Sequence, residues 1–437
     1  MAVPPEANPP ATTLRPPQLA PAPRRAERPR EAPPLQPSGP RTSPPMAVSP
    51  IEASGLARDL DAALSIDAAA RAIQGQREAV RSRDALVRSP IPGSPLLGGD
   101  FRSDARGPGR ANEWNVEVAA PLWLPGQRGA LAGTVNAGVE EQERRLALRR
   151  LELAGLLRDA YWAVGAAESE LRVARNRLAT ARDIGRDVQR RVELGDIAQT
   201  EALLTRNEEL AATLDLTRAE AAVAAAHAAY RTLTGGSEAA LQSAGGSTGL
   251  AGARSEPAMM DAATHPAIRT AEAALATAEA RARLVRATPM DNPELGVFTR
   301  GQGGLVTEQG TSLGLRVRIP LPSEARNAPR RADAEAERTR AEGELIQARR
   351  VVEGEISLAR LGLAAAARAR GIAADRRAVA EQQLATARTA FRSGEIGAFD
   401  LFRVRQLQIE AAAGEARAEV EAGRARSRLN QALGLAP

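Results

Sequence analysis

The sequence contains no cysteine and no lysine, and only 2% of its residues are aromatic. The absence of cysteine excludes a disulfide framework, a thiol nucleophile and a thiolate metal site. The apolar residues are mainly alanine, leucine and valine, which argues against a bulky globular core and favours closely packed helices. No apolar run approaches the roughly 18 residues of a transmembrane helix, so we expect none.

The net charge is +6, and half of this excess lies in residues 1–50, which hold six arginines and three glutamates. A diffuse charge of this size, without aromatic platforms or a reading motif, indicates no nucleic-acid partner. The two histidines, His227 and His265, have no cluster of ligands at metal-binding spacing, so we expect no metal site. No nucleophile–base pairing, P-loop or dinucleotide fingerprint occurs, so we expect neither catalysis nor a cofactor.

Residues 1–50 are rich in proline and contain 16 of the 30 prolines of the chain. Such a segment cannot form a packed core, and we predict a disordered tail. The basic start and apolar run of a signal peptide are not visible in these residues. We therefore expect that the native start lies upstream, or that this reading frame is not exported.

Two segments alternate between apolar and polar residues, as half-buried strands do. In "NEWNVEVAAPLWLP", Trp114, Val116 and Val118 point one way and the residues between them point the other. The second segment, "TSLGLRVRIPLP", alternates in the same manner. A weaker strand pattern precedes each of them, at Pro95–Ser103 and in "NPELGVFTR". The sequence thus predicts two strand pairs.

Long helices are predicted after both strand pairs, because residues 126–256 and 330–436 contain no proline. A shorter helical pattern covers residues 51–87. In the first long run, apolar residues recur at the heptad spacing of a coiled coil. One series is Leu157, Val164, Leu171 and Leu178, and the interleaved series is Leu153, Ala160, Ala167, Ala174, Ala181 and Val188. The second copy is less regular, since Arg370 and Arg377 occupy two of the leucine positions.

The two halves of the chain are copies of one unit. "VELGDIAQTEALLTRNEE" and "FRSGEIGAFDLFRVRQLQ" match at Gly195 and Gly394, which are 199 residues apart. The same offset relates Pro121 to Pro320, so the register extends from the strands into the helices. The sequence therefore predicts an internal duplication.

The predicted domains follow from this duplication. Residues 1–50 form the tail, 51–235 the first repeat, 236–262 a glycine- and serine-rich equatorial linker, and 263–437 the second repeat. Each repeat contains a helix, a strand pair and a long helical hairpin. At about 1.5 Å per residue, the first long helix would measure about 95 Å, and the returning helix about half of that. Each copy therefore rises once and descends in two stacked pieces, with the glycine motifs as reversals at two tips.

This arrangement resembles the TolC family of outer-membrane efflux proteins. The resemblance extends from about Ile51 to Gly434, and its most specific segments are the two tip motifs, "LNQALG" and "RIPLPSEARN". "APLWLPGQRGA" together with "RIPLP" is similar to the heavy-metal, CzcC-like branch. The resemblance implies a mainly α fold with a small β part, in which four transmembrane β-strands per protomer and long antiparallel coiled-coil helices build a trimeric α/β-barrel duct.

The function that the resemblance implies is a passive outer-membrane channel within a tripartite efflux system. The homotrimer would contact outer-membrane lipid, and its helices would form a periplasmic tunnel. A periplasmic adaptor would dock at the tips, and an inner-membrane pump of the RND type would deliver metal cations or small toxic compounds. The alternative is a soluble structural coiled-coil protein with a basic disordered N-terminal arm, which would have no use for alternating strands at equivalent positions of a repeat.

The resemblance also assigns residues at the tips. The adaptor-contacting residues would be Gly195, Asp196, Ile197 and Ala198 in the first tip, with Gly394, Glu395, Ile396, Gly397 and Phe399 in the second. A gate at the tunnel mouth would involve Asp400, Arg403 and Glu201. Many relatives place two acidic residues one helical turn apart after the second tip, whereas Arg403 takes the second of these places here.

Each assignment has a structural alternative. Gly195 and Gly394 would then only end helices, because glycine tolerates a positive φ. Phe399 and Phe402 would pack the hairpin tip. Asp400 would be an acidic residue of the first helical turn, which the helix dipole favours.

Overall fold

Long helices and a small sheet make up this computed structural model, which describes residues 50–104, 111–243, 262–303 and 309–437. These residues all lie in one compact unit. The predicted tail and most of the predicted linker lie outside the described residues. The division into two repeats at residues 235 and 262 stays a prediction.

The elements occur in the order that the duplication predicts. The first half contains α1 (Pro50–Ile66), α2 (Ala68–Ser82), α3 (Asp84–Arg88), β1 (Leu96–Ser103), β2 (Asn112–Pro121), α4 (Gln127–Glu193), α5 (Gln199–Thr234) and α6 (Ala239–Ser243). The second half contains a 3-10 turn (Ala262–Thr264), α7 (Pro266–Ala287), β3 (Glu294–Gly303), β4 (Gly310–Arg318), α8 (Glu324–Arg392) and α9 (Ala398–Ala432). The mainly α fold class with a small β part is thereby confirmed.

The two long helices, α4 and α8, have 67 and 69 residues. At about 1.5 Å per residue each extends for about 100 Å. α4 lies within its proline-free run, whereas α8 begins six residues before the run 330–436 and includes Pro329. Within the described segments, no helix combines the length and the apolar composition that crossing a membrane requires.

The N-terminal helical segment is divided, where the sequence predicts one helix over residues 51–87. The first break is at Asp67, which has an extended backbone and whose carboxylate accepts a hydrogen bond from the Ala70 N–H at 2.8 Å. The same carboxylate accepts a bond from the Arg149 guanidinium of α4, also at 2.8 Å. A second break at Arg83 separates α2 from α3. The prediction of one continuous helix was wrong because Asp67 caps α2 locally, and Arg149, 82 residues away, adds further bonds to the same carboxylate.

The four strands form one antiparallel sheet in the order β1-β2-β3-β4. Trp114 of β2 pairs with Phe101 of β1, and Val297 of β3 pairs with Leu315 of β4. Because side chains alternate between the faces of a strand, this register gathers apolar side chains on one face. These are Leu97, Phe101, Trp114, Val116, Val118, Leu295, Val297, Leu313, Leu315 and Val317.

The helices form two successive layers of four. In the layer next to the sheet, α4 contacts α2 on one side and α7 on the other, and α7 contacts α8. In the layer towards the tips, α4 contacts α5 and α9, and α9 contacts α8. α4 and α8 run through both layers, whereas the other helices occupy one layer each. Among the described helices, α5 and α8 are therefore the outer members of the tip-side layer.

The core lies at the level where the two layers meet. Leu56, Leu157, Trp162 and Tyr230 are almost completely buried there. The carboxylate of Asp59, fully buried on α1, accepts hydrogen bonds from the Tyr230 hydroxyl at 2.6 Å and from the first N–H groups of α6. Because a buried carboxylate requires such partners, Asp59 fixes α1 against the end of α5.

The two arginines that interrupt the second coiled-coil seam, Arg370 and Arg377, form ion pairs with the neighbouring helix. The guanidinium of Arg377 contacts Glu415 of α9 at 2.5 Å and Glu381 at 2.8 Å. Arg370 lies 3.7 Å from Glu419, one turn further along α9. The leucine positions of the first copy are thus replaced by interhelical ion pairs in the second.

Candidate functional site

The first tip is a helix end closed by a left-handed glycine. α4 ends at Glu193, and Gly195 has a φ of +80°. The Asp196 N–H then donates to the Arg191 carbonyl oxygen at 2.9 Å, and the Gly195 N–H donates to Val192 at 3.0 Å. This pair of bonds is a Schellman motif, which satisfies the last carbonyl groups of the helix.

The second tip repeats this geometry. Gly394 has a φ of +81°, and the Glu395 N–H donates to the Ala390 carbonyl oxygen at 2.9 Å. A Cβ at Gly195 or Gly394 would meet no atom within 4 Å. The backbone conformation therefore explains both glycines, and close packing does not.

The residues that start the returning helices have no such requirement. Ala198 and Gly397 are the N-terminal caps of α5 and α9, with φ values of −75° and −78°. Any residue adopts this extended conformation, and a Cβ at Gly397 would meet no atom within 4 Å. No conformational requirement therefore explains a glycine at position 397. Its effect is that the backbone at the tip is not covered by a side chain.

Most of the predicted adaptor-contacting residues are exposed. We define the tip surface as Gly195, Asp196, Ile197, Ala198, Gly394, Glu395, Ile396, Gly397 and Phe399. Asp196 and Glu395 are exposed, whereas Ile197 and Ile396 are half-buried. Phe399 is 64% exposed, which is unusual for a phenylalanine in a chain with few aromatic residues.

Phe399 and Phe402 lie on the side of α9 that faces the first hairpin. Both line a cavity of about 200 Å³ together with Ile184 and Val188 of α4 and Leu204 of α5. Phe402 is half-buried in this position. Its placement agrees with the alternative that it packs the hairpins together, whereas Phe399 contributes to this packing and to the exposed tip.

Sequence reasoning missed a contact that joins the two tips. The guanidinium of Arg191, at the end of α4, stacks over the ring of Phe391, at the end of α8, with 4.2 Å to the ring centroid. Phe391 is one of five phenylalanines in the chain, and three of the five lie in the second tip motif. The concentration of phenylalanines in this motif indicates a packing role for Phe391, but it does not identify Arg191 as the partner.

The predicted gate residues are placed differently from one another. Asp400 and Glu201 occupy the first turns of α9 and α5. Asp400 and Arg403 are exposed, whereas Glu201 is half-buried and lines the cavity beside Phe399. In a single chain, Glu201 therefore lies with the packed residues of this cavity, and Asp400 and Arg403 do not line it.

Polar contacts between α4 and its neighbours lie just behind the tips. Arg177 of α4 contacts Glu208 at 2.7 Å and Asp215 at 2.6 Å on α5. On the other side, Arg405 of α9 donates a hydrogen bond to the Thr180 hydroxyl at 3.3 Å. Burial between these helices, together with the charge of nearby Arg388, lowers the pKa of Arg405.

Both histidine side chains contact other residues of the chain. His227 lies between Glu168 and Glu238, at 3.6 and 3.4 Å. His265 caps α7 by accepting a bond from the Ala267 N–H, and burial lowers its pKa. Within the described parts of the chain, no group of three or more suitable side chains could hold a metal ion.

The two faces of the sheet differ in chemistry. The apolar face is open in the single chain, and Leu313 and Leu97 are both 78% exposed. The opposite face carries ion pairs that cross the strands. Arg300 contacts Glu113 at 3.0 Å, Arg318 contacts Glu294 at 2.7 Å, and Arg316 pairs with Glu117. A sheet with an exposed apolar face and a charged face suits lipid on one side and water on the other.

The fold that these features define is that of outer-membrane efflux channels. Residues 102–236 match the family model described as outer membrane efflux protein. No curated protein sequence matches the chain significantly. The fold is shared with the transmembrane channel CusC, at 15% identity and a TM-score of 0.70, over 87% of this chain and 92% of that one.

Two further solved structures have the same fold. The outer membrane protein VceC from Vibrio cholerae is 14% identical with a TM-score of 0.67, over 88% of this chain and 97% of its own. A membrane protein from Pseudomonas aeruginosa is 17% identical with a TM-score of 0.68, over 87% of this chain and 90% of its own. At such low identities these likenesses show the fold, which agrees with the resemblance that the sequence motifs indicate.

Proposed function

We propose that this chain forms the outer-membrane channel of a tripartite efflux system and acts as a passive conduit, not as an enzyme. The observation that carries the proposal is the two-faced sheet attached to two stacked layers of helices. The exposed apolar face is the surface that lipid would cover, and the charged face would line a water-filled path. A soluble coiled-coil protein, the alternative, would leave ten apolar side chains of one face in water.

Closure into a homotrimer is supported by the open edges of a single chain. β1 and β4 each pair on one side only among the described strands. Unpaired strand edges are not tolerated in a bilayer, so a four-stranded sheet requires further strands to close it. Three copies would supply the twelve strands of a closed barrel.

The duplication indicates how the helical layers would close. Within the chain, Phe402 and Ile409 of α9 line a cavity against Thr180 and Ile184 of α4. The residues 199 positions earlier on α5 are Leu203 and Leu210. These leucines are 64% and 54% exposed, since none of the helices in the described part of the chain covers them.

The matching surface is on α8. Ile372 and Val379 are 70% and 54% exposed, and their counterparts on α4, 199 residues earlier, are Val173 and Thr180. Thr180 contacts α9 within the chain. We therefore propose that α5 of one copy packs on α8 of the next, and that this contact repeats the one between α9 and α4.

The partners follow from this placement. The tip surface is proposed as the contact for a periplasmic adaptor, supported by its exposure and by the bare backbone at Gly397. An inner-membrane pump of the RND type would supply energy and select the cargo. Metal cations or small toxic compounds are the proposed cargo, and the heavy-metal branch has the support of the "APLWLPGQRGA" and "RIPLP" segments.

The conduit is tested by electrical recording from purified protein in planar lipid bilayers. We expect discrete conductance steps from the unmodified chain. Val116→Arg with Leu315→Arg should abolish insertion, because each arginine on the lipid face costs about 2–4 kcal/mol near the midplane. Asn176→Arg with Thr339→Arg adds the same charge on exposed positions of α4 and α8, outside the proposed contact between copies, and should leave the steps intact. Membrane-inserted protein without conductance would contradict the proposal.

A further inference from the structure

A cavity of about 800 Å³ lies where the helices meet the sheet. It touches all four chain segments that enter or leave the strands. Pro92 precedes β1, Trp123 follows β2, and Asn292 precedes β3, each within four residues of a strand end. Asn327 lies in the first turn of α8, after β4. The cavity is therefore at the helix-side edge of the sheet.

The uncharged polar groups in this cavity are already engaged with the protein. Gln127 and Asn292 exchange hydrogen bonds at 2.6 and 3.2 Å. The Asn327 amide donates to the Pro289 carbonyl oxygen at 2.5 Å, and the Trp123 indole donates to Ser89 at 3.2 Å. These groups hold the four segments together, so a ligand would have to be recognised by the charged and apolar parts of the lining.

The charged lining has an excess of cations. It contains four arginines and two carboxylates. Arg281 pairs with Glu337 within the cavity, and Arg331 pairs with Glu324 at its margin. Arg286 and Arg330 make no ion pair among the described residues, although Asp333 also lines the cavity and the charge of Arg286 acts on the Glu335 carboxyl. One guanidinium is on α7 and the other on α8, so both are available to an anion held between these helices.

The rest of the lining is apolar. Leu86, Leu131, Leu284 and Val285 form it, together with the ring of Trp123. An apolar wall beside two unpaired guanidinium groups fits a ligand with an anionic head and a hydrocarbon tail. Tryptophan is also enriched where a membrane meets water, because its ring is apolar and its N–H is polar.

We propose that this cavity binds an anionic phospholipid of the membrane that surrounds the sheet. Arg286 and Arg330 would contact the phosphate, and Leu284 and Val285 would contact the start of an acyl chain. The inference rests on the proposed function, since it places the apolar face of the sheet in a bilayer and the cavity at the headgroup level. Basic pockets at this level recognise anionic headgroups, at about 1 kcal/mol for each arginine.

Tryptophan fluorescence gives a local test. The chain has three tryptophans, of which Trp162 is buried among helices and Trp114 is on the apolar face of the sheet. In a Trp114→Phe background, quenching by lipid brominated near the headgroup end of its chains would report on Trp123. The full chain is reconstituted in bilayers of phosphatidylcholine, and brominated phosphatidylglycerol or brominated phosphatidylcholine is then titrated.

We expect brominated phosphatidylglycerol to quench at about thirtyfold lower mole fraction than brominated phosphatidylcholine, because two arginines at about 1 kcal/mol each correspond to a factor of that size. Arg286→Gln with Arg330→Gln should remove this preference. Arg283→Gln with Arg340→Gln changes the net charge equally on exposed positions of the same helices and should retain it. Circular dichroism confirms that each variant is folded.

Three results would overturn the proposal. Equal quenching by the two lipids would show that the cavity does not select an anionic headgroup. Retention of the preference in the Arg286→Gln, Arg330→Gln variant would place the site elsewhere. Full competition by inorganic phosphate alone would show an anion site without a lipid tail. A channel that conducts but fails these tests keeps the proposed function and loses only the lipid site.

Discussion

The guanidinium of Arg191 lies 4.2 Å from the centroid of the Phe391 ring, which joins the ends of the two longest helices. α4 and α8 belong to different copies of the duplicated unit and are not otherwise neighbours at the sheet, where α7 lies between them. This pair therefore adds a direct contact between the ends of α4 and α8 to the packing of α9 on α4. It also brings Phe399 of the second tip beside the first hairpin, where it lines a shared cavity.

We predict that Arg191 and Phe391 stabilise the tips as a pair. Cation–π contacts at exposed sites contribute about 0.5–1 kcal/mol. A double-mutant cycle with Arg191→Gln and Phe391→Leu should give a coupling energy of this size, measured by hydrogen exchange of the amides at the tips. Phe399→Leu combined with Arg191→Gln is the control and should be additive. Additivity in the Phe391 cycle as well would mean that the stacking has no energetic role.

The two glycines of the second tip should respond differently to substitution. Gly394 has a positive φ, so Gly394→Ala should destabilise the hairpin by about 1 kcal/mol. Gly397 has an ordinary φ and open space around it, so Gly397→Leu should leave the melting temperature nearly unchanged. If the tip surface contacts an adaptor, Gly397→Leu should nevertheless lower efflux in cells and cross-linking to the adaptor.

Ile396→Asp extends this comparison, and Ile197→Asp tests the equivalent position of the first tip. Both should impair efflux while trimers still form. A fall in melting temperature with unchanged resistance and cross-linking would show that the tips only end helices.

Much of the fold could be predicted because its signals are local or repeated. The alternation around Val116 and the heptads around Leu157 define strands and helices without any distant partner. The equal spacing of Gly195 and Gly394 then reveals the duplication. The predictions failed where a contact connects distant segments, since no local pattern encodes the partner. At Asp67 the capping bond from Ala70 is local, whereas the added bond from Arg149 comes from another helix.

The tips also combine local features, which the sequence predicts, with long-range contacts, which it does not. Their glycine conformations could be expected from the motif, and both glycines indeed have a positive φ. The stacking of Arg191 on Phe391 and the position of Glu201 in the cavity beside Phe399 could not, because they depend on how two hairpins lie against each other. The docking role of the tip surface stays a prediction.

Acid should weaken the junction between the N-terminal helices and α4. The hydrogen bond from Arg149 lowers the pKa of Asp67 below its ordinary value of 3.8. A lowered pKa in the folded state stabilises the fold above the ordinary pKa, and this contribution is lost as the pH falls through the lowered value. We expect parent and Asp67→Asn to differ in melting temperature by a constant amount between about pH 7 and pH 5.

Below about pH 4 this difference should shrink, because the Asp67 carboxylate becomes protonated in the parent as well. Asp61→Asn serves as the control, since Asp61 of α1 pairs with Arg150 of the same helix α4 but is 62% exposed. Exposed pairs contribute little, so its effect should be small throughout. A difference for Asp67→Asn that persists at low pH would show that the carboxylate's charge is not involved.

The central claim is that copies of the chain close a duct by repeating between chains the contact that α4 and α9 make within one. The absence of native cysteine allows a direct measurement, since any introduced pair is the only one present. Within the chain, Arg405 donates to Thr180 at 3.3 Å. The equivalent residues, offset by 199 positions, are Arg206 on α5 and Val379 on α8. These two helices are the outer members of the tip-side layer.

The most direct test is thiol cross-linking of the Arg206→Cys, Val379→Cys variant in detergent with a short bismaleimide, followed by denaturing electrophoresis. The account predicts a covalent trimer as the final product, with a dimer as its intermediate. Thr180→Cys with Arg405→Cys should react equally well and stay at the mass of one chain. A monomeric product from the Arg206, Val379 pair, while the control pair reacts fully, would contradict the duct.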